Sequence, residues 1–449
     1  MRNRWIRMAA AALAGLLLLT GCGGGGPALL LIAPVYPEMT AYPNEQEYID
    51  PDSGVIDYDS FSEVYGKWAE ERTARRNQPE GYTEGMTAFT RQAAETFLTG
   101  TEKNTLLSPL NVYMALGMLA EVTGGNSRSQ ILDVLGADSM ETLRGRADSL
   151  WNANYCADGA STSVLASSLW LNRNVSYHTA ALETLAAVYR ASSYQGTMGD
   201  PAYDKMLQDW LNDNTGGLLE DSVQGISMDP STILALASTV YYQAKWKNEF
   251  REENNEQRIF HSSAGDVECT FMRQTDSHGV YYWSENFGAV SRRMEEGGQM
   301  WLILPDEEVD MDTVLRSDAL YDLLDPEYQW TDSKILKIHQ YIPKFDVSAE
   351  TDLAAGLTEM GITDVFDGKT ADFSPLTDTG NVSLSEAKHA VRVMIDEEGV
   401  TAASYVVMMM AGAARPPEEE MDFILDRPFI FAITGTDGVV LFMGVVQQP

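Results

Sequence analysis

The chain has 449 residues, of which 44% are hydrophobic and 22% are charged, enough apolar material for a large core in one or two domains. Its formal net charge is -35, because 66 acidic residues outnumber 31 basic ones. No stretch is basic enough to follow a phosphate backbone, so the composition argues against nucleic-acid binding and fits an exported acidic protein.

The first residues have the form of a bacterial export signal. Three arginines precede an apolar run at 8–19 that is too short to span a bilayer comfortably. The next residues, Leu19-Thr-Gly-Cys22, resemble the lipobox of bacterial lipoproteins, in which the chain is cut before an acylated cysteine. This resemblance implies a signal peptide at 1–21, lipidation of Cys22, and a membrane-anchored protein of the cell envelope that is exposed outside the cytoplasm. The alternative is an ordinary signal peptide with an incidental cysteine.

Residues 22–81 are predicted to form an acidic tether between the lipid and the folded body. The segment begins with four glycines and carries recurrent prolines, which favour an extended and flexible chain. A short helix is predicted at 68–76. The tether is expected to hold the body away from the membrane surface.

The folded body is predicted to start near Tyr82 and to mix helices with strands. Apolar spacing predicts a helix at 86–98, a second helix that starts at Ser108-Pro109, and a third at 127–135. The strands expected from alternating or continuous apolar runs lie at 233–242, 391–395, 429–433 and 439–443.

The connection between the strands at 391–395 and 429–433 is the most informative stretch. It is roughly thirty residues long, and a compact domain seldom carries such a loop unless the loop is functional. Its first half is small or β-branched and nearly uncharged, and alternate residues from Val400 to Val406 would share one face of a strand. The sequence therefore predicts a loop that is able to become a strand; the alternative is an irregular surface loop.

This stretch resembles the hinge and reactive loop of the serpins, whose hinge runs Glu-x-Gly-Thr-Glu and then several alanines. The matching run here is Glu397-Glu-Gly-Val-Thr-Ala-Ala-Ser404. Further family motifs follow in order from about residue 84 to 449, including Ser108-Pro109, Leu165–Leu171, Trp210–Gly217, Ile342–Phe345, Asp426–Phe429 and Leu441–Gly444. The resemblance implies an α+β serpin domain at 82–449, with three β-sheets, eight or nine helices and an exposed reactive loop at about 397–420.

The resemblance implies a function as well as a fold. In inhibitory serpins a serine protease cleaves the loop and forms an acyl-enzyme, and the freed hinge inserts into the large sheet as a strand. The partner expected here is therefore a serine protease, bound covalently by a monomeric inhibitor. The hinge residues carried over are Glu397, Glu398, Gly399, Val400, Thr401, Ala402, Ala403 and Ser404.

The hinge sequence fits insertion, with two departures from the family pattern. None of its inward positions is charged or proline, so burial costs little and every main-chain N–H can join the sheet. However, Val400 and Thr401 replace the usual Thr and Glu, and Tyr405 and Val406 replace a small residue and a Thr. The alternative that these changes keep open is a non-inhibitory serpin that acts as a surface binding or interaction protein.

Counting along the usual loop length places the reactive bond between Ala413 and Ala414. The residues before it, Met410, Ala411 and Gly412, are small or apolar and suit the shallow pockets of elastase-like or subtilisin-like proteases. Three alternatives stay open. The bond could lie one residue to either side, the preceding methionines could attract chymotrypsin-like enzymes, and Arg415 could attract trypsin-like ones, although Pro416 would obstruct that cleavage.

Six further residues match family positions that control opening of the large sheet: Ser108, Asn111, Ser238, Trp246, Lys344 and His389. By resemblance, His389 is expected beneath the sheet near Ser108, and Trp246 at the end where the hinge enters. Lys344 and Glu397 are expected to form a salt bridge.

No enzyme, metal or cofactor site is predicted. The chain lacks a nucleophile elbow, a zinc-protease motif and a phosphate-binding glycine loop, and its five histidines do not cluster at ligand spacing. Of the three cysteines, Cys22 is assigned to lipid. Cys156 and Cys269 are expected either to pair or to remain free thiols.

Overall fold

The structure is a computed structural model that describes residues 28–50, 55–295, 297–384, 387–400 and 417–449. The predicted signal peptide and Cys22 lie outside the described residues. So do the hinge residues after Val400 and the predicted reactive bond, Ala413–Ala414, together with Met410, Ala411, Gly412 and Arg415.

Eleven α-helices occur within the described ranges. In chain order they are α1 (Tyr58–Arg76), α2 (Met86–Phe97), α3 (Pro109–Val122), α4 (Gly125–Val134), α5 (Met140–Asn154), α6 (Thr179–Val188), α7 (Pro201–Asp213), α8 (Glu220–Val223), α9 (Met311–Leu315), α10 (Asp318–Leu324) and α11 (Leu353–Glu359). None of these helices is long and apolar enough to cross a membrane.

Seventeen strands occur in the same described ranges. They are β1 (Ala28–Ile32), β2 (Thr105–Leu107), β3 (Cys156–Ala157), β4 (Thr162–Asn172), β5 (Ala191–Gly196), β6 (Leu234–Lys245), β7 (Glu256–Ser262), β8 (Gly265–Trp283), β9 (Phe287–Arg293), β10 (Gln299–Pro305), β11 (Ser333–Pro343), β12 (Phe345–Asp352), β13 (Lys388–Ile395), β14 (Gly399–Val400), β15 (Glu420–Ile424), β16 (Phe429–Thr434) and β17 (Val440–Val446).

These strands pair into an eight-stranded sheet and a nine-stranded sheet. The eight-stranded sheet, here called the large sheet, has the order β1-β5-β4-β6-β14-β13-β12, with β3 beside β4. The other has the order β15-β11-β8-β9-β10-β16-β17-β2, with β7 beside β8. The α+β class is as expected, but two sheets are counted instead of three. The reason is that the 19-residue β8 pairs with β7, β11 and β9 in succession and joins their pairings into one sheet.

Helix α3 occupies the centre of the core, between the large sheet and β17 of the second sheet. Every residue of α3 except Ala115 is buried. The helix begins as the sequence predicts: the Ser108 hydroxyl accepts a hydrogen bond from the Asn111 N–H, and Pro109 occupies the first turn, where it leaves no donor unpaired. This placement carries Ser108 and Asn111 beneath the large sheet.

The expectation of a free tether at 22–81 is wrong for the described part of that segment. Strand β1 pairs with β5 and extends the edge of the large sheet, and Tyr36 packs against the rings of Trp151 and Tyr155. Helix α1 is 19 residues long, where a short helix was expected. The segment carries enough aromatic surface to gain free energy by burial, so it packs on the body.

A buried carboxylate fixes helix α1 to the body. Asp158 lies just after β3, and its Oδ2 accepts hydrogen bonds from the Trp68 indole at 3.0 Å and the Arg72 guanidinium at 2.9 Å. Its Oδ1 accepts the main-chain N–H of Ala160 at 3.1 Å, and its carbonyl accepts that of Tyr42 at 2.7 Å. Because Trp68, Arg72 and Asp158 are all buried, the docked helix belongs to the folded body.

Candidate functional site

The hinge enters the large sheet as a short strand between two long ones. In β14, Val400 pairs with Ile395 of β13 and with Ala244 of β6, and Gly399 pairs with Lys245; all these pairings are antiparallel. No pairing directly joins β6 to β13 among the described residues. The two strands are therefore linked by the hinge itself, and a chain that continued in the direction of β14 would pass between them.

Gly399 is required because the hinge approaches β6 closely at this residue. Its φ is not positive, so another residue could adopt its conformation. A Cβ at this position, however, would lie 2.7 Å from the Lys245 Cα and would also collide with the Ala244 carbonyl. Only glycine therefore lets the hinge pair with β6 at this register.

The turn before β14 is held by its first residue. The Asp396 carboxylate accepts hydrogen bonds from the main-chain N–H groups of Glu398 at 2.9 Å and Gly399 at 3.1 Å. The Asp396 N–H donates to the Gly399 carbonyl at 3.0 Å. A short side-chain acceptor at this place is the usual way to close such a turn. The sequence reasoning had not singled out Asp396.

The segment after β6 binds the main chain of this turn. The Trp246 indole Nε1 donates to the Asp396 carbonyl at 2.9 Å, and the Trp246 N–H donates to the Glu398 carbonyl at 3.0 Å. The Phe250 N–H donates to the Glu397 carbonyl at 2.9 Å. Three successive carbonyls of the turn thus have donors from one short segment, which fixes where the hinge meets β6.

The buried side chain of Arg292 packs against the two aromatic rings of that segment. The Arg292 guanidinium carbon lies 4.0 Å from the Phe250 ring centroid and 5.3 Å from that of Trp246. Its nitrogens donate to Gln340 Oε1 at 2.8 Å and to the Asn248 carbonyl at 2.7 Å. Burial lowers the pKa of Arg292 to about 9. This side chain was not found from the sequence, which gives no local signal for it.

Glu397 lies in an ion pair on the other side of the turn. Its Oε1 accepts from Lys344 Nζ and also from the Asn255 side-chain amide. The Glu397 side chain is only 8% exposed, whereas that of Lys344 is 36% exposed. Burial acts to raise the pKa of Glu397, but the hydrogen bonds from Lys344 and Asn255 outweigh it and hold the pKa below its usual value. Asn255 is a second partner that sequence reasoning missed.

His389 joins β13 to the start of the central helix. Its Nε2 accepts a hydrogen bond from the Ser108 main-chain N–H at 3.0 Å, so the ring is neutral at this nitrogen. The Ser108 hydroxyl donates to the Leu441 carbonyl at 2.6 Å. Burial lowers the pKa of His389 to about 4. The imidazole is therefore an uncharged structural acceptor under the large sheet.

Asn111 connects the same helix to β6. Its side-chain amide donates to the Ser238 carbonyl at 3.1 Å, so Ser238 takes part through its main chain and not through its hydroxyl. His389 and Asn111 thus join α3 to the strands on either side of β14. The six positions that the resemblance assigns to sheet opening fall into two groups. Two of them, Trp246 and Lys344, lie at the hinge turn. The other four lie farther from that turn, in or beneath the large sheet: Ser108, Asn111, Ser238 and His389.

Comparison with known proteins assigns this arrangement to a family. The family model described as Serpin (serine protease inhibitor) matches residues 84–449. Human neuroserpin is 29% identical over 369 residues, covering 78% of this chain and 87% of neuroserpin. The pig leukocyte elastase inhibitor is 27% identical over 356 residues, covering 77% of this chain and 93% of the inhibitor.

Solved structures agree with the sequence comparison. The native state of tengpin, a thermophilic serpin, has a TM-score of 0.73 at 24% identity, covering 83% of this chain and 95% of tengpin. Thyroxine-binding globulin in complex with thyroxine has a TM-score of 0.69 at 20% identity, covering 81% of this chain and 98% of the globulin. At these identities the structures show the shared fold alone.

Proposed function

The chain belongs to the serpin family, and from this we propose that it inhibits an elastase-like or subtilisin-like serine protease as a suicide substrate. The protease serine attacks the carbonyl of the reactive bond, and the amine of the following residue leaves. The resulting ester is the acyl-enzyme. The released hinge then inserts into the large sheet and carries the attached protease with it, which distorts the protease active site before water can cleave the ester.

One observation carries the proposal: β14 already lies between β6 and β13 and is antiparallel to both. Extension of β14 would add a central strand to the large sheet, with main-chain hydrogen bonds to both neighbours. Gly399 and Val400, the two residues already in place, are buried and uncharged. The residues that follow in sequence are also uncharged, and none before Arg415 is proline.

The contacts around the hinge support a state that is trapped before insertion. Inhibition of this type requires that the uncleaved loop be held short of a more stable inserted arrangement. The hinge turn is held at the C-terminal end of β6 by the Lys344–Glu397–Asn255 contacts and by the Trp246–Asp396 bond. We assign to these contacts, and to the bonds of His389 and Asn111 lower in the sheet, the control of sheet opening.

The reactive bond in this proposal is Ala413–Ala414, with Met410, Ala411 and Gly412 on its acyl side. Small side chains at these positions fit a protease with shallow specificity pockets. The similarity to the leukocyte elastase inhibitor agrees with this class of target, although identity across the whole domain does not fix loop specificity.

The cellular location belongs to the same proposal. The lipobox-like run ending at Cys22 supports a lipid anchor that places the inhibitor on the outside of a bacterial membrane. Because strand β1 and helix α1 pack on the body, the anchor would hold the domain closer to the surface than a free sixty-residue tether would.

A second candidate is a non-inhibitory serpin that binds a ligand or partner at the cell surface. Two observations favour it: Val400 and Thr401 depart from the family hinge, and thyroxine-binding globulin shares the fold. The buried, uncharged residues Gly399 and Val400 and the uncharged sequence that follows them favour the inhibitor.

The experiment uses the chain starting at Gly23, incubated with pancreatic-type elastase, subtilisin, trypsin or chymotrypsin. Products are separated on denaturing gels and the released peptides identified by mass spectrometry. The inhibitor proposal expects a complex that survives denaturation, together with a C-terminal peptide that starts at Ala414. Clean cleavage of the loop with full recovery of protease activity would make the chain a substrate and would favour the second candidate.

A further inference from the structure

A cavity lies where helix α1 meets the body. It has a volume of about 30 Å³ and is partly open to solvent. Its walls come from α1, from the end of α5 through Cys156, from the start of β4, and from Tyr242 near the end of β6. The turns at Gly297 and at Gly435-Thr436 close the remaining side.

The described lining of this cavity is positively charged, whereas the protein as a whole is negatively charged. The described residues that line it include Arg72, Arg75 and Arg76 and no carboxylate, although acidic residues outnumber basic ones by 66 to 31 in the whole chain. Two carboxylates beside the lining are already engaged. Asp158 accepts from Trp68 and Arg72, and Asp437 accepts from Tyr82 and Asn154.

Two donors in the lining have no hydrogen-bond acceptor among the residues that the structure describes. They are the Nη1 of Arg75 and the hydroxyl of Ser163, and both atoms are buried. Burial of a guanidinium nitrogen and a hydroxyl without acceptors is unfavourable, and native proteins rarely leave such groups unsatisfied. The cavity therefore presents donors that need acceptor oxygens.

We propose that this cavity is a binding site for a tetrahedral oxyanion, with inorganic phosphate and sulfate as its simplest ligands. Guanidinium groups donate to such oxyanions through two nitrogens in a fixed fork, which a single water cannot match. Arg75 and Ser163 supply the donors that lack acceptors, and Arg76 adds positive charge to the lining. The asparagine side chain of Asn152 is a further polar group in the wall.

The position of the site gives the anion a structural effect. One wall is the N-terminal helix, and another is Tyr242, two residues before Ala244, which pairs with the hinge residue Val400. A bound anion would join α1 to β4 and to the end of β6. It should therefore stabilise the docked helix, and this inference does not depend on protease trapping.

The test uses the chain starting at Gly23, which keeps all described residues. Phosphate and sulfate are titrated separately by calorimetry and by thermal unfolding, with sodium chloride at matched ionic strength as the reference. Binding with an increase in melting temperature above the chloride reference is expected for at least one oxyanion, and the two arms show which is preferred. Absence of binding by both would overturn the proposal.

Variants locate the site. Arg75→Gln and Ser163→Ala should each weaken oxyanion binding, Arg75→Gln by about tenfold or more. Arg251→Gln should leave binding unchanged, because Arg251 is exposed and does not line this cavity. Circular dichroism confirms that each variant is folded. Unchanged binding by folded Arg75→Gln and Ser163→Ala proteins would place the anion elsewhere.

A measurement on the unaltered chain gives an independent check. Cys156 lines the cavity and Cys269 lies in β8, and both are half-buried free thiols. Burial raises the pKa of each thiol, so both react slowly with iodoacetamide. The bound oxyanion should slow alkylation of Cys156 and leave that of Cys269 unchanged, as measured by peptide mass mapping. Equal effects on both cysteines would contradict a ligand in this cavity.

Discussion

The Trp246 indole and the Asp396 main-chain carbonyl are joined by a 2.9 Å hydrogen bond that ties the end of β6 to the turn before the hinge. The acceptor belongs to the main chain, so the bond fixes backbone position whatever the side chain at 396. The indole is also packed against Phe250 and Arg292, which fixes its orientation.

We expect Trp246→Phe to destabilise the protein by about 2 kcal/mol, because the Asp396 carbonyl loses its indole donor and the smaller ring leaves space behind. Urea unfolding of the chain starting at Gly23 measures the change. Trp330→Phe is the matched control, since the half-buried Trp330 indole also donates to a carbonyl, that of Asp332, which does not belong to the hinge turn. If both variants lost the same free energy of unfolding, the hinge contact would contribute no more to stability than the Trp330–Asp332 contact does.

Reversal of charge at Glu397 should release the hinge turn. Lysine at this position would replace the Lys344–Glu397 attraction by repulsion between two cations and would remove the acceptor of the Asn255 amide. Glu397→Lys should therefore convert to loop-inserted or polymeric forms at a lower temperature than the parent chain.

Native gels after mild heating measure this conversion. Glu398→Lys carries the same change of charge at the next residue, which is exposed, and should behave like the parent chain. If Glu398→Lys converted as readily as Glu397→Lys, general charge and not the ion pair would be the cause.

Gly399→Ala should interfere with pairing between the hinge and β6. The added methyl group would lie 2.7 Å from the Lys245 Cα, so β14 would have to move away. Under the proposed inhibitory function we expect slower insertion, and hence more cleaved inhibitor and less trapped protease. Gly225→Ala is the control, because a Cβ there meets no atom within 4 Å. The ratio of complex to cleaved chain on denaturing gels gives the answer, and an unchanged ratio would refute the steric argument.

The parts of this site that the sequence predicted are those with a local pattern. Ser108-Pro109 is a helix-start signal that follows from capping chemistry alone, and it placed the start of α3 correctly. The family resemblance paired Lys344 with Glu397, and the structure brings them together. Arg292 and Asn255 gave no such signal. Their roles arise from segments that are distant in sequence and meet only in the folded protein.

For the N-terminal segment, the sequence predicted a flexible tether, whereas the structure shows a segment packed on the body. Its prolines, glycines and acidic residues favoured an unpacked tether, since composition measures the average polarity of a segment. Packing depends instead on a few side chains, here Tyr36, Trp68 and Arg72, and on a buried acceptor at Asp158 some ninety residues away. A contact between residues so far apart in sequence leaves no local pattern from which it could be predicted.

His389 should make stability depend on pH in the acid range. Its pKa is 6.5 in an unperturbed chain and about 4 in the folded protein, so between these pH values the unfolded chain binds the proton and the folded protein does not. Stability therefore falls as pH falls from 6.5 to about 4, by about 3 kcal/mol in total, and is unaffected by this group at higher pH.

His389→Gln isolates this contribution, because glutamine offers an uncharged acceptor to the Ser108 N–H. Urea unfolding from pH 7 to pH 4 should show a smaller loss in this variant than in the parent chain. Acid effects of other groups, Glu397 included, are common to both proteins and cancel in the comparison. His278→Gln changes an exposed histidine, and its stability should fall with pH as steeply as that of the parent chain. If the stability of His389→Gln also fell as steeply as that of the parent chain, the buried imidazole would not be the source of the effect.

Loss of the Asp158 charge should undock helix α1. Asparagine retains one acceptor oxygen but leaves the Arg72 cation buried without its counter-charge, since the Arg72 and Asp158 side chains are 5% and 0% exposed. Breaking a buried pair in this way lowers the free energy of unfolding by about 3 kcal/mol or more.

Glu253→Gln is the control, because it removes an ion pair whose two partners are exposed, and it should lower the free energy of unfolding by less than about 0.5 kcal/mol. Limited trypsin digestion followed by mass spectrometry should show faster cleavage at Arg72, Arg75 and Arg76 in Asp158→Asn than in Glu253→Gln. The same cleavage rate in both would mean that α1 is held mainly by its aromatic contacts and not by the buried carboxylate.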